Sequence, residues 1–429
     1  MISAPRPAPV LPPTTVPPRA AKFRGALAGT PGSLRIAGLA SVVVCLLFGF
    51  AAFGAVRNRA NAIADARNHA AQLVRIQDIR SNATQADAAA TNAFLVGGLE
   101  PADQRTAYED GIAGATSDIA SASAGSTSDA SVLAKTNQVI AQYAGLIESA
   151  RANNRQGFPV GAAYLRQASN LLRTEALPPL AQAVGVEQTR ITKAYGNAAR
   201  ADAVLIASLV LAVIVLLFIQ IWLSFKTRRM LNTNLAAATA IVVVGGVIGI
   251  GVMTLAEHSA TDVRSGSLAN TVALATARTD AFAGKSAESL TLINRGSGQP
   301  FEQQYQVVIK DANSAMSNLS DRPSVKGSVA ALDAYDTAHH LVRTHDDAGD
   351  WDGAVRLATT ADPHGTKAAF AAFDSISHTS LTGQASHVSD SLNSARRPLG
   401  VLAVLLLLAG FASATLAWRG IANRLREYR

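Results

Sequence analysis

Seven side chains that could bind a metal ion lie close together in the second half of the sequence. They are His339, His340, His345, Asp346, Asp347, Asp350 and Asp352. Imidazole and carboxylate groups are common ligands of Zn²⁺ and Ca²⁺. The sequence repeats internally, as described below, and the equivalent turn of the first half reads Asn153, Asn154 and Arg155. These residues cannot form the same metal site. Asp, Asn and Gly are also usual in solvated turns. We therefore interpret the segment as a turn and predict neither a metal nor another cofactor.

Motifs of known enzymes are missing from the sequence. There is no G-x-S-x-G nucleophile motif and no H-E-x-x-H zinc motif. The Gly-rich segment at residues 296–298 lacks the Gly-Lys-Ser/Thr ending of a phosphate-binding loop. The segments predicted to be cytosolic are too short to fold as an enzyme or a kinase domain. We therefore expect that the protein is not an enzyme.

Four apolar runs are each long enough to cross a bilayer, which requires about 20 residues of helix. They cover residues 36–56, 203–223, 235–255 and 399–418. Lys and Arg near span ends are retained in the cytosol. Here they flank the first run on its N-terminal side, fill the turn between the second and third runs, and follow the fourth. We therefore predict a multi-pass plasma-membrane protein with both termini cytosolic. The net charge of +8 follows from this topology and does not indicate nucleic-acid binding.

The first run could instead be a cleaved signal peptide, because the small residues Gly54 and Ala55 end it. We favour a membrane span, since the run is longer than the roughly 7–15 apolar residues of a signal-peptide core. The one cysteine, Cys45, lies inside this run. The segments outside the membrane are therefore expected to contain no disulfide bond.

The polar segments between the spans have helical periodicity. In the first, apolar residues recur at helical spacing from Ile76 to Phe94, and Gly or Pro residues interrupt the pattern near residues 97–101, 124–126 and 157–159. These breaks predict an up-down four-helix bundle. The predicted fold class is all-α, with four transmembrane helices and two extracytoplasmic four-helix bundles in tandem.

The second bundle is expected because the two halves of the chain repeat. Gly97, Pro101, Asp103 and Gln104 recur 199 positions later as Gly296, Pro300, Glu302 and Gln303, and Arg151, Gly157, Gly161, Ala162 and Leu165 recur 192 positions later as Arg343, Gly349, Gly353, Ala354 and Leu357. A tandem duplication explains both motifs. The predicted order is a disordered Pro-rich cytosolic tail (1–35), span one (36–56), bundle one (57–202), span two (203–223), a cytosolic turn (224–234), span three (235–255), bundle two (256–398), span four (399–418) and a basic cytosolic tail (419–429).

The spans offer almost no polar side chains at mid-membrane, which argues against a transporter. Gly245 and Gly249 form a small-xxx-small pair that lets two helices approach closely. This pair leaves a homodimer open, although Gly is also common in membrane helices without such a role.

Three segments resemble the actinobacterial GlnX-like membrane sensors. They are Thr91–Pro101 (TNAFLVGGLEP), Glu288–Gly298 (ESLTLINRGSG) and Arg424–Arg429 (RLREYR), and the resemblance extends over the chain from the first span onward. It implies that an extracytoplasmic solute-binding lipoprotein of the GlnH type, which recognises aspartate and glutamate, signals through the protein to a cytosolic Ser/Thr kinase of the protein kinase G type. The family implies no catalytic residue.

The repeated turns should lie at the ends of the bundles far from the membrane, where we expect the binding protein to dock. The residues are Gly97, Pro101, Gln104, Arg151, Gly157, Gly296, Pro300, Gln303, Arg343 and Gly349, and we expect the two arginines to be exposed. Lys226, Arg228, Arg229, Arg424, Arg426 and Arg429 are the predicted cytosolic relay residues. They could equally be anchors at anionic lipid headgroups of the bilayer.

Two alternatives to the relay remain open, a receptor that binds a small ligand directly in its bundles and a scaffold protein of the envelope. A pocket with convergent arginines between the helices would favour direct amino-acid binding. A flat exposed patch at the distal ends would favour docking of a protein.

Overall fold

The computed structural model describes residues 30–96, 100–157, 159–227, 232–317 and 323–426. Within these ranges every regular element is a helix, so the predicted all-α class is confirmed for this part of the chain. Residues 1–29 of the predicted Pro-rich tail lie outside the described residues.

Eleven α-helices follow one another in the described part of the chain. They are α1 Thr30–Val96, α2 Ala102–Gly125, α3 Ala130–Arg155, α4 Val160–Leu171, α5 Leu177–Thr227, α6 Thr233–Val263, α7 Ala269–Ile293, α8 Gln299–Ser317, α9 Pro323–Asp347, α10 Trp351–Thr359 and α11 Thr366–Arg426. A 3₁₀ turn, Thr127–Asp129, precedes α3. The π-helical turns Leu172–Ala176 and Arg264–Leu268 join α4 to α5 and α6 to α7 without a loop.

The chain divides into two compact units. The smaller, which we call the span unit, comprises the described parts of Met1–Arg57, Ala201–Met253 and Gly400–Arg429. The larger unit comprises those of Asn58–Arg200 and Thr254–Leu399, and we call these two segments its first and second halves. Four helical segments, Gly32–Val96, Val160–Lys226, Thr233–Ile293 and Thr366–Asn423, are long and apolar enough to cross a membrane. Each contains one of the predicted spans.

Glycine permits close helix packing in the span unit. A Cβ atom on Gly410 of α11 would lie 2.6 Å from the Cα atom of Gly49 in α1, so the two helices cross with their backbones in contact. Gly245 and Gly249 of α6 both face Leu406 of α11. The small-xxx-small pair therefore packs within the chain. The outer side of the unit carries large exposed apolar side chains, as expected for contact with lipid.

Helices α1 and α7 form the centre of the larger unit. Residues 86–93 of α1 and 284–292 of α7 are buried on every side, which is typical of helices inside a core. Gln77 donates a hydrogen bond to Thr276 at 3.4 Å, and Ser286 donates one to Asp87 at 2.6 Å. Both contacts join residues 199 positions apart, so the helices run parallel with equivalent residues facing each other.

This central pair differs from the expected arrangement of two independent bundles. The halves share one core, because α1 and α7 each bury a second face against the other half. The second half also departs from the four-helix plan, since Thr360–Gly365 separates α10 from α11. Gly365 lies so close to α10 that a Cβ atom there would be 2.3 Å from the Leu357 carbonyl oxygen. A π-helical turn lies directly before Pro178 and Pro179, which lack the backbone N–H groups that would continue the helical hydrogen bonds.

Candidate functional site

Three of the predicted turn glycines end helices in a left-handed conformation. Gly157, Gly296 and Gly349 have φ angles of 72°, 75° and 82°, which glycine adopts without the steric cost of a side chain. They terminate α3, α7 and α9. We call the ends of the two halves that carry these turns, together with the C-terminal end of α1, the distal ends.

The other predicted docking residues divide into exposed and half-buried groups. Pro300 and Gln303 at the start of α8 are exposed, whereas Pro101 and Gln104 at the start of α2 are half-buried. Gly97 lies outside the described residues. The second distal end therefore presents more of the predicted docking residues to solvent than the first.

The prediction that Arg151 is exposed is wrong. Its side chain is 12% exposed, and its guanidinium group pairs with Glu100 at 2.7 Å and Glu148 at 2.6 Å. It also lies 4.2 Å from the centre of the Tyr108 ring, within range of a cation–π contact. Arg151 therefore ties α3 to Tyr108 of α2 and to Glu100, which lies two residues before α2.

Arg343 is held in a similar way and is 17% exposed. It contacts Glu302 of α8 at 3.5 Å and Asp346 of its own helix at 2.5 Å. The sequence did not predict the burial of Arg343, because an arginine near the polar end of a helix is usually exposed to solvent.

A cavity of about 260 Å³ opens at the first distal end, between α1, α2, α3 and α4. Its apolar wall is formed by Ala90, Ala93, Phe94, Ala102, Ile147, Ala150 and Leu165. Its polar lining consists of Glu100, Arg105, Glu148, Arg151, Asn154 and Arg155. The cavity thus combines an apolar surface with charged groups of both signs.

The polar groups of this cavity differ in how fully they are paired. Arg105 donates a hydrogen bond to Glu109 at 2.8 Å and lies 4.0 Å from Glu100. Arg155 is exposed and forms no ion pair with another residue in the part of the chain that the structure describes. The lining therefore retains a cation that a bound anionic group could neutralise.

The space equivalent to this cavity is filled differently in the second half. By the offsets of the repeat, Ala93, Ala102 and Ala150 correspond to Leu292, Phe301 and Val342. Leu292 and Val342 belong to a buried apolar cluster with Leu357 and Ala358. Larger side chains thus occupy positions that are small in the first half.

Buried charged side chains also lie in this part of the second half. Lys285 lies 2.5 Å from Glu288, and His339 bridges Glu288 at 2.8 Å and Glu302 at 3.2 Å. Burial would raise the pKa of Glu288, but Lys285 and His339 outweigh it and lower this pKa to about 2. Burial would lower the pKa of His339, but its hydrogen bonds to the two carboxylates raise it. In this buried cluster the positive and negative groups balance one another, so removing any one of them would leave an unpaired charge in the core.

Three acids of the central helix pair have raised pKa values. Asp87 accepts hydrogen bonds of 2.6 Å from both Ser169 and Ser286, and burial raises its pKa despite these bonds. Burial is also the main cause of the raised pKa values of Asp78, to about 7, and Asp280, to about 6. Sequence reasoning missed these acids. The only sign of their burial in the sequence was that Asp87 lies within the segment from Ile76 to Phe94, where apolar residues recur at helical spacing.

The His- and Asp-rich segment is divided between different environments. His339 is buried, His340 is 76% exposed, and His345 contacts Asp350 at 2.7 Å. Asp350 also accepts the Gly353 amide at 3.0 Å, so it caps α10. Among the described residues, no group of three or more His, Cys, Asp or Glu side chains is placed to hold a metal ion.

Of the predicted relay residues, only Lys226 can be located. Its side chain is exposed and its ammonium group lies 5.6 Å from the centre of the Trp222 ring. Arg228, Arg229 and Arg429, and the side chains of Arg424 and Arg426, lie outside the described part of the structure.

Four helices in the described part of the chain are long and apolar enough to cross a membrane, which indicates a membrane protein. The comparison with known families agrees with this class. Residues 62–196 match the family model described as Actinobacterial sensor domain, and this segment contains every residue that lines the distal cavity. The match supports a role in sensing or signalling. No curated protein and no solved structure matches the chain significantly.

Proposed function

We propose that the protein is a signal relay of the plasma membrane with both termini in the cytosol. In this proposal the larger unit lies outside the cell and receives the state of an aspartate- or glutamate-binding lipoprotein. The span unit passes that state to a cytosolic Ser/Thr kinase, and the protein catalyses no reaction itself. The sensor-domain match supports a sensing role, and the direction of the signal rests on the resemblance to GlnX-like sensors.

The observation that carries the proposal is the continuity of the helices. Helix α1 runs for 67 residues from a span-length apolar segment to the first distal end without a break. Helix α11 runs for 61 residues and ends beyond the fourth apolar segment, with Pro398 as an internal proline directly before the predicted span. Continuity therefore holds most directly for α1. A continuous helix can carry a small shift or rotation along its length, because its backbone hydrogen bonds resist local bending.

The distal ends are the proposed input surface. Gly296, Pro300, Gln303 and Gly349 are exposed at the second distal end, where a protein partner could contact them without unfolding a helix. Arg151 and Arg343 do not suit a docking test, because both are half-buried and ion-paired. Replacing exposed Gln303 by Arg should therefore weaken capture of the lipoprotein while leaving the thermal midpoint of the protein unchanged. Equal capture by this variant would move the docking surface elsewhere.

A second candidate function is a receptor that binds its ligand directly. The distal cavity favours it, because arginines converge there between helices of the sensor-domain match. The two functions are compatible if a ligand and a protein partner bind the same molecule.

The output of the relay is tested by deleting residues 421–429. Arg419 remains as an anchor at the end of the fourth span, so we expect normal insertion but loss of the kinase response to external aspartate or glutamate. The matched control carries a tail of the same length and composition in scrambled order, which separates charge from sequence. A truncated protein that inserts and still signals would remove the tail from the mechanism.

Orientation is tested with single cysteines introduced into a Cys45→Ala background. We expect an impermeant thiol reagent to label positions 157 and 349 in intact cells. Position 226 should be labelled only after the membrane is opened. Labelling of position 226 in intact cells would contradict the proposed topology.

A further inference from the structure

We propose that the cavity at the first distal end binds a small zwitterion of the α-amino acid class. This inference rests on the proposed sensing function and gives it a direct chemical input. It follows from three features, namely the charges of the cavity, its apolar wall and the larger side chains at the equivalent positions of the second half.

The charges suit a molecule that carries both signs. Glu100 and Glu148 each contact a different nitrogen of the Arg151 guanidinium group, at 2.7 Å and 2.6 Å. Each carboxylate has a second oxygen that can accept a hydrogen bond from an ammonium group. Arg155 has no ion-pair partner among the described residues, and the Asn154 amide next to it supplies further donors. Arginine recognises a carboxylate through two parallel hydrogen bonds. A zwitterion therefore satisfies both groups at once, whereas a simple cation or anion satisfies one.

The apolar wall sets the size of the ligand. A volume of about 260 Å³ corresponds to ~9 water molecules at about 30 Å³ each. The wall facing this space consists of Ala, Phe, Ile and Leu side chains, which favour a short apolar body. The cavity thus has room for a single amino acid.

The two halves differ at the positions that create the cavity. Ala93 and Ala150 are buried on α1 and α3, and their equivalents in the second half are Leu292 and Val342. The cavity therefore depends on missing side-chain volume, which one half keeps and the other fills. We infer that the first half is specialised for the ligand and the second for structural support.

The position of the cavity couples it to the central helices. Ala90 and Ala93 belong to the segment of α1 that also contains Asp87, which contacts Ser286 of α7. A ligand held against Ala90 and Ala93 would therefore bear on the helix that joins the two halves.

The test uses the full chain in lipid nanodiscs and isothermal titration with each of the twenty standard amino acids. We expect at least one to bind with a Kd below about 1 mM. Its methyl ester, which lacks the carboxylate, and its N-acetyl form, which lacks the ammonium group, should each bind at least ~tenfold more weakly. Absence of binding by all twenty would overturn the inference, and so would an ester or an N-acetyl form that binds as tightly as the free amino acid.

Two variants test whether the ligand binds in this cavity. Ala93→Leu copies the second half and fills the space, and Arg155→Ala removes the unpaired cation. Both should weaken binding at least ~tenfold. Ala150→Val serves in place of Ala93→Leu if the larger side chain prevents folding. Arg200→Ala, which removes an exposed arginine far along the chain, is the matched control and should bind normally. Retained affinity in the cavity variants would overturn the assignment.

The kinase response separates this inference from the relay itself. If Ala93→Leu and Arg155→Ala respond normally to external amino acid while deletion of residues 421–429 abolishes the response, the relay stands and the cavity is not its input. If the tail deletion leaves the response intact but the cavity variants lose amino-acid binding, the cavity assignment stands and the proposed output fails.

Discussion

Replacing Asp78 by Asn should stabilise the protein, and more so at high pH. Asp78 lies on α1 in the larger unit, where burial and the neighbouring Asp118 raise its pKa to about 7 against the opposing effect of Arg278. The ordinary pKa of this carboxyl is 3.8. The folded protein therefore favours neutral Asp78. The stability contributed by the neutral form is complete below the unfolded pKa and is lost as pH rises through 7.

The size of the effect follows from the two pKa values. The difference between the folded and unfolded pKa values means that ionised Asp78 lowers the free energy of unfolding by about 4 kcal/mol at pH 8. At pH 5 the loss is less than about 2 kcal/mol, because Asp78 is then mostly neutral in the folded protein. For a unit of this size, 1 kcal/mol shifts the thermal midpoint by on the order of 2 °C. Asp78→Asn is thus expected to raise the midpoint by on the order of 8 °C at pH 8 and by ~3 °C at pH 5.

The assay is thermal unfolding of the full chain in nanodiscs at several pH values. Asp65→Asn is the control, because Asp65 lies on the same helix and is exposed. We expect its midpoint to follow that of the unchanged protein at each pH. A midpoint difference for Asp78→Asn that stays constant from pH 5 to pH 8 would refute the argument from burial.

Two further predictions concern packing and charge. Gly410→Leu should lower the thermal midpoint by an amount equivalent to about 1–3 kcal/mol, because the new side chain meets Gly49. Gly400→Leu, where a Cβ atom meets nothing within 4 Å, should not lower it, because leucine is also the better helix former. Equal midpoints for the two variants would argue against the close crossing. Glu288→Gln should destabilise the protein by about 3–5 kcal/mol in denaturant unfolding, because it leaves Lys285 buried without its nearest counter-charge. A Lys285→Met/Glu288→Leu double variant should recover most of the loss, and a neutral result for Glu288→Gln would show that the cluster tolerates an unbalanced charge.

Features that depend on local chemistry were predictable from the sequence. Long apolar runs mark helices that can span a membrane, whatever lies beside them. The ends of α3 and α9 were predictable at Gly157 and Gly349, because glycine there permits a backbone that other residues avoid. The all-helical class follows from the same combination of helical periodicity and Gly or Pro breaks.

Features that depend on distant contacts were not predictable. The apolar stripe on α1 does not say which helix covers it, so the shared core with α7 was missed. Arg151 was expected in solvent, because its partner Glu100 and the Tyr108 ring approach it only after folding. The cavity was missed for a different reason. It results from the small size of Ala93 and its neighbours, and an alanine in an Ala-rich helix carries no sign that space is left beside it.

The contact between α1 and α7 has a consequence for how the protein behaves at low abundance. Two separate polypeptides that pair through such helices dissociate when they are diluted, and their pairing varies with expression level. Here both helices belong to one chain, so their local concentration is fixed by the covalent connection. Each molecule therefore carries its own partner helix in a constant one-to-one ratio, even when a single copy is present in the membrane.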